Sequence, residues 1–238
     1  MTTTTIRSCR QYRSGRLASL LRILAGLSLL VLHGAPVAET GSFRLTSQQL
    51  ADIASEYGKY AVLRIHSWEQ LINTGRQLSE QDRLERTNDF FNSLGFKNDV
   101  DHWGKQDYWA TPLETLASNG GDCEDFSIGK YFTLLQMGVP AERLRLTYVK
   151  ALELNQAHMV LSYAASPDSE PLILDNLNSK ILPASSRQDL LPVYSFNGHG
   201  LWLTTSRGME QEIGKPERLS HWNSMIARIS DEQLTVTR

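Results

Sequence analysis

Beyond residue 40 the apolar positions first follow a helical period and then an alternating one. Leu50, Ile53, Ala54, Tyr57 and Ala61 fall on one helical face behind the capping sequence Thr46-Ser47-Gln48-Gln49, which predicts a helix running to about Ile65. A second helix is predicted over 68–74. A third starts near Ser79-Glu80-Gln81-Asp82 and carries Leu84, Phe90, Phe91 and Leu94 up to Gly95. The polar and aromatic stretch 98–111 reads as a loop, and Pro112 opens a short helical turn with Leu113 and Leu116. A further helix begins at Cys123, shows Ile128, Phe132 and Leu135 on its apolar face, and is stopped by Met137-Gly138-Val139-Pro140.

After Pro140 the period falls to two. Strands are predicted around Leu144, Leu146 and Tyr148, over 157–163 and over 171–175, the last two joined by a hairpin turn at 164–170 that contains Pro167-Asp168-Ser169. Two more flank the Asn197-Gly198 turn, over 191–196 and 200–203, and a terminal helix covers 219–229. Helices followed by a run of antiparallel strands indicate an α+β fold. The chain shows no internal repeat, low-complexity tract or glycine-rich phosphate loop; Gly120-Gly121 lacks the lysine and the spaced glycines.

Residues 1–38 read as an export signal. Five arginines (Arg7, Arg10, Arg13, Arg16 and Arg22) without an acid precede or enter an apolar core over 20–32, and Ala35-Pro36-Val37-Ala38 offers small residues for cleavage after Ala38. The alternative is an uncleaved anchor, and either places residues 39–238, one domain, in the periplasm. The whole chain carries a formal charge of −2; beyond residue 38 it has 19 Lys and Arg against 26 Asp and Glu, an acidic balance that argues against nucleic acid as a partner. Cys9 precedes the apolar core and leaves with the signal, so Cys123 remains alone and no internal disulfide can form. A lone thiol in an oxidising compartment is either an inert buried residue or one that is used.

The position of Cys123 bears on that choice. It follows Gly120-Gly121-Asp122 at the start of an apolar helix, where unpaired N–H groups and a partial positive charge favour a thiolate. His158 lies in the second strand, 35 residues on, and Asp175 ends the third, 17 residues later. With a turn at 164–170 the two strands pair antiparallel and bring both residues to the same end of the hairpin. A helix N-terminus packed there completes Cys–His–Asp, in which the histidine takes the thiol proton and the carboxylate orients it. Taken singly, a strand histidine is an ordinary core or surface residue and an aspartate ending a strand is a turn former.

Gly120-Gly121-Asp122-Cys123-Glu124-Asp125-Phe126, Ala157-His158-Met159-Val160-Leu161 and Leu174-Asp175-Asn176-Leu177, in that order, resemble the bacterial transglutaminase-like cysteine proteinase family. The resemblance spans roughly residues 109–203. It implies a papain-like, transglutaminase-core fold with N-terminal helices and the catalytic helix packed on an antiparallel sheet. It implies Cys123 as nucleophile, His158 as base and Asp175 as orienter. It further implies calcium dependence, with Asp122 and Glu124 as ligands; Asp125, beside them, is a further candidate ligand. Those acids crowd the nucleophile and oppose thiolate formation unless a divalent cation reverses the local field; alternatively they only complement the helix N-terminus. Further oxygens are expected from the 166–170 turn.

The Cys123 N–H with the Trp109 indole or Gln106 is expected to form an oxyanion hole, the alternative for Trp109 being simple packing. His102 and His199 read as ordinary polar residues. The implied substrate is the N-terminal region of a large cell-surface adhesin, cut at a di-alanine site to control biofilm attachment. The implied partner is an inner-membrane receptor for cyclic di-GMP that sequesters the protease. Two rivals share these residues: a transglutaminase-type acyl transferase using the same triad, and a non-catalytic binding module.

Overall fold

Gly58 divides what the apolar pattern ran together. The computed structural model describes residues 41–204 and 210–232, so the predicted export signal lies outside the described residues. Helix α1 (Ser47–Tyr57) starts on a reciprocal cap: the Gln49 N–H donates to the Thr46 hydroxyl at 3.2 Å, and the Thr46 N–H donates to the Gln49 side chain at 2.7 Å. It ends at Gly58, whose φ of +80° favours glycine. Helix α2 (Lys59–Gly75) then runs unbroken through the segments assigned to the end of one helix and the whole of another. Ala61 keeps the apolar phase across the break, so periodicity alone does not register it.

Helix α3 (Glu80–Asn92) begins as expected on Ser79, whose hydroxyl accepts from the Asp82 N–H. A two-residue strand β1 (Gly95–Phe96) follows. The segment read as a loop contains α4 (Asp99–Trp103), with Asp99 and Asp101 in its first turn, where acids suit the helix dipole, and Gly104 closing it in the left-handed region. Helix α5 (Pro112–Ser118) opens on a Thr111–Glu114 capping box with proline at its first position. Strand β2 (Gly120–Gly121) pairs parallel with β1.

Close contacts on two sides explain the two glycines. A Cβ on Gly120 would lie 2.1 Å from the Gly95 carbonyl oxygen, and one on Gly121 would lie 2.2 Å from an Asp125 oxygen. The chain entering the next helix is thereby pressed against β1 and against its own first turn. Helix α6 (Cys123–Gln136) is the centre of the molecule, every residue from Asp125 to Leu135 being buried. One side meets Ile65, Trp68, Phe91 and Leu116 of the preceding helices, with the Trp68 indole donating to the Thr133 hydroxyl at 2.8 Å. The other side, with Ile128, Tyr131 and Leu135, packs on the sheet. A helix apolar on all sides is what burial between two layers requires.

The sheet comprises β3 (Leu144–Ala151), β4 (Gln156–Tyr163), β5 (Leu172–Leu174), β6 (Leu182–Pro183), β7 (Leu190–Phe196), β8 (Leu201–Thr204) and β9 (Glu210–Gly214). All neighbours are antiparallel, in the order β6-β5-β4-β3-β7-β8-β9. The two outermost strands carry no sequence signal: β6 is two residues ending in proline, and β9 is a polar edge. Helix α7 (Ser220–Asp231) closes the core with Trp222, Met225 and Ile229. The fold is α+β, with the cysteine helix packed on an antiparallel sheet, as the sequence predicted. Among the described residues no helix is long and apolar enough to cross a membrane.

Candidate active site

Cys123 occupies the first turn of α6, and Asp122 caps it through a box in which Asp125 answers the cap's own N–H. Asp125 is wholly buried. One of its oxygens accepts from the Ala110 N–H at 2.7 Å and the other from the Asp122 N–H at 3.3 Å. It therefore ties the chain on either side of the nucleophile together. One turn further on, the Ser127 hydroxyl donates to the Met159 carbonyl at 3.0 Å, which seats the start of α6 against β4 beside His158.

His158 and Asp175 meet as the hairpin geometry predicts. The His158 Nε2 lies 2.7 Å from Asp175 Oδ1, both side chains buried. The same oxygen accepts from the Leu177 N–H at 2.9 Å, and Oδ2 takes Arg187 Nη2 at 2.7 Å. Burial alone would raise the Asp175 carboxyl, but the bonds from His158, Leu177 and Arg187 outweigh it and hold the group down at about 2. Arg187 carries no periodic or spacing signal in the sequence.

Cys123, His158, Trp109 and Gln106 line one cavity of about 610 Å³, walled by Tyr148 and Tyr194 and by His221 at the start of α7. The two tyrosine rings stack at 5.0 Å, and Trp109 stacks on Phe196 at 5.7 Å and on His221 at 5.6 Å. The Trp109 indole N–H donates to none of the described residues. His102 bonds Ser118, and the His199 N–H donates to Asn197 Oδ1 in its turn.

The Cys123 thiol donates to Glu124 Oε2 at 3.0 Å. Burial first, and then the Glu124 and Asp122 charges, push it well above the ordinary thiol range, against a favourable Met159 N–H. The acids around it are raised as well: Asp122 to about 9, by burial and then by Glu124, with Glu124 and Asp125 also raised chiefly by burial. Asp99 and Asp107, from the segment read as a loop, join them. Oxygens of Asp99, Asp107 and Glu124, and likewise those of Asp99, Asp122 and Asp125, come within 4.8 Å of one another. The Oδ1 atoms of Asp99 and Asp122 are buried without a partner among the described residues. An all-oxygen cluster with orphaned carboxylate oxygens and raised carboxyls fits a hard cation such as calcium.

The expected oxygens of the 166–170 turn are not part of this cluster. The turn follows Tyr163, five residues along β4 from His158, or about 17 Å at strand spacing, and opens on a different cavity with Arg143 and Arg145. Asp99 and Asp107 supply oxygens to the cluster instead, and the acid-rich run 99–107 is their only signal in the sequence.

The family model for bacterial transglutaminase-like cysteine proteinases matches residues 67–204. No curated protein matches the chain. Among solved structures, the EGTA-treated form of LapG from Legionella pneumophila is 44% identical over 79% of this chain and 100% of that one, with a TM-score of 0.68. LapG of the same organism in a second structure is 43% identical over 79% and 98%, with a TM-score of 0.67. Its calcium-bound form is 43% identical over 76% and 98%, with a TM-score of 0.66.

Proposed function

The chain belongs to the bacterial transglutaminase-like cysteine proteinase family, and on that premise we propose that it is a calcium-dependent periplasmic endopeptidase that cuts the N-terminal region of a large surface adhesin. The observation that carries the chemical reading is that Cys123, at the head of a buried helix, and His158 line one cavity, with His158 held 2.7 Å from the buried Asp175. Calcium-bound and EGTA-treated forms of the Legionella protein, together with the orphaned oxygens of Asp99 and Asp122, support the metal.

Asp175 engages Nε2 of His158, which leaves Nδ1 to take the Cys123 proton. The thiolate attacks the scissile carbonyl carbon. The developing oxyanion is met by the Cys123 N–H and the Trp109 indole N–H. The imidazolium then gives its proton to the leaving amine, and the C–N bond breaks to leave a thioester. His158 next takes a proton from water as the water oxygen adds to the thioester carbon; the C–S bond breaks, the acid product leaves, and the imidazolium returns its proton to the sulfur. Asp122, Glu124 and Asp99 would hold the calcium ion, whose positive charge would offset theirs and so favour the thiolate. Asp107 and Asp125 complete the acidic shell.

In this reading the cut falls at a di-alanine site, frees the adhesin and ends surface attachment. An inner-membrane receptor for cyclic di-GMP withholds the protease until then. The test is a gel assay of the purified chain with an adhesin N-terminal fragment from the same cell, in calcium and in EGTA. One cut in calcium, absent in EGTA and with Cys123→Ala, is the expected outcome. Cross-linked product in place of fragments would instead favour acyl transfer to lysine.

A further inference from the structure

Lys130 lies two turns after Cys123 on α6 and is 0% exposed, yet its Nζ has no hydrogen-bond partner among the described residues. A buried ammonium is costly unless its donors are met. Three buried amide oxygens, Oδ1 of Asn88, Asn92 and Asn176, are likewise without partners.

These orphans belong to one corner of the molecule. The charges acting on Lys130 are those of Asp175 and Asp89. Asn88 and Asn92, one turn apart on α3, flank Asp89 and donate their amide nitrogens to the Ser179 and Asp175 carbonyls at 2.8 Å each. With both nitrogens committed, it is the oxygens that are left over. The neighbouring residue on α6, Gly129, is so close to α3 that a Cβ there would meet the Phe91 ring at 2.2 Å. Thus α3, α6 and the segment leaving β5 converge on an ammonium with three donors and on amides with unused acceptors.

Resting on the reading of Asp175 as the orienter of His158, we propose that Lys130 is a positioning residue, whose ammonium, through buried water shared with Asn88 and Asn92, fixes the 175–179 segment and with it the Asp175 carboxylate. Arg187 supports that carboxylate through Oδ2. Lys130 adds a second support from the helix that bears the nucleophile, coupling the position of the histidine's partner to that of the sulfur. Burial pushes the Lys130 ammonium down to about 7, against the opposing pull of Asp175 and Asp89. Bridging water is the simplest way to satisfy the remaining donors and acceptors.

The experiment compares the purified wild-type chain, Lys130→Met and Lys130→Arg in calcium, using a fluorescence-quenched peptide with a di-alanine core, and determines a high-resolution crystal structure of the wild type. The expected kcat of the Met variant is lower by about tenfold or more with KM within about twofold, and Arg recovers most of the loss. The crystal structure should hold water bonded to Lys130 Nζ and to Oδ1 of Asn88 or Asn92. A folded Met variant with wild-type kcat, an Arg variant no better than Met, or a dry junction would each overturn the inference. Where the Met variant fails to fold, the crystal structure decides. Failure of the protease reading looks different, because the wild type itself then cleaves no more than Cys123→Ala.

Discussion

Asp175 holds His158 with one carboxylate oxygen and Arg187 with the other, each at 2.7 Å, so a single buried acid fixes the imidazole and is itself fixed from behind. Changing Asp175 to Asn keeps the shape but removes the charge and the preference for a donor at Nε2. Cleavage is expected to fall on the order of a thousandfold or more, mainly in kcat. The same change leaves the buried Arg187 with only Asp189, and costs about 3 kcal/mol of stability. Steady-state kinetics and chemical denaturation measure the two effects separately.

The Asp175 carboxyl, held at about 2 in the folded chain, also sets an acid limit. Its folded value lies below the unfolded one near 3.8, so its contribution is fully present above about pH 4 and is lost as pH falls through about 2. In Asp175→Asn that part of the acid transition should vanish. An unchanged acid limb in the variant would mean that other carboxylates govern it.

The acids beside Cys123 act in the opposite sense. Asp122 is raised to about 9 when no cation is bound, so between about pH 4 and pH 9 the folded chain holds a proton that the unfolded chain has released. Stability in chelator should therefore decline as pH rises across that window. Calcium should flatten the slope, because it replaces the proton. The same replacement lowers the thiol, so calcium should speed alkylation of Cys123 by iodoacetamide at neutral pH. Melting curves and alkylation rates, each with calcium and with EGTA, test this; equal rates in the two conditions would refute the coupling.

Asp122 caps α6 as well as facing the cluster, so an alanine there would confound a lost cap, worth about 1 kcal/mol, with a lost ligand. Asp122→Asn keeps a capping oxygen and removes the charge. Asp99→Asn tests a ligand that spacing around the cysteine does not reveal. Each is expected to weaken calcium binding by about tenfold or more in a calorimetric titration, with little change in melting temperature in chelator. An unaltered titration for Asp99→Asn would remove it from the ligand set.

What the sequence disclosed follows the range of the forces involved. The cysteine helix has a local cap, a local apolar phase and a glycine stop, and the His158–Asp175 contact follows from one short hairpin. Each is written within some twenty residues. Arg187 reaches Asp175 from a turn with no period, and Asp99 and Asp107 reach the Cys123 cluster from a segment that precedes α5. Such contacts belong to tertiary packing. The break at Gly58 escaped for a different reason, since a conformational switch at one residue left the apolar phase intact on both sides.

Trp109 is the residue on which packing and chemistry are least separated. Its ring stacks on Phe196 and on His221, and its backbone is clamped, the carbonyl accepting from Arg228 and the following N–H donating to Asp125. Its indole N–H has no partner among the described residues and it lines the cavity with Cys123. Trp109→Phe keeps an aromatic ring against the two neighbours and deletes the donor. If that donor stabilises the oxyanion, kcat falls on the order of a hundredfold with KM nearly unchanged. Stability falls by only about 1–2 kcal/mol, because most of the buried ring remains. Retention of wild-type kcat in the folded variant would assign Trp109 to packing and leave Gln106, in the same cavity, as the second donor to examine.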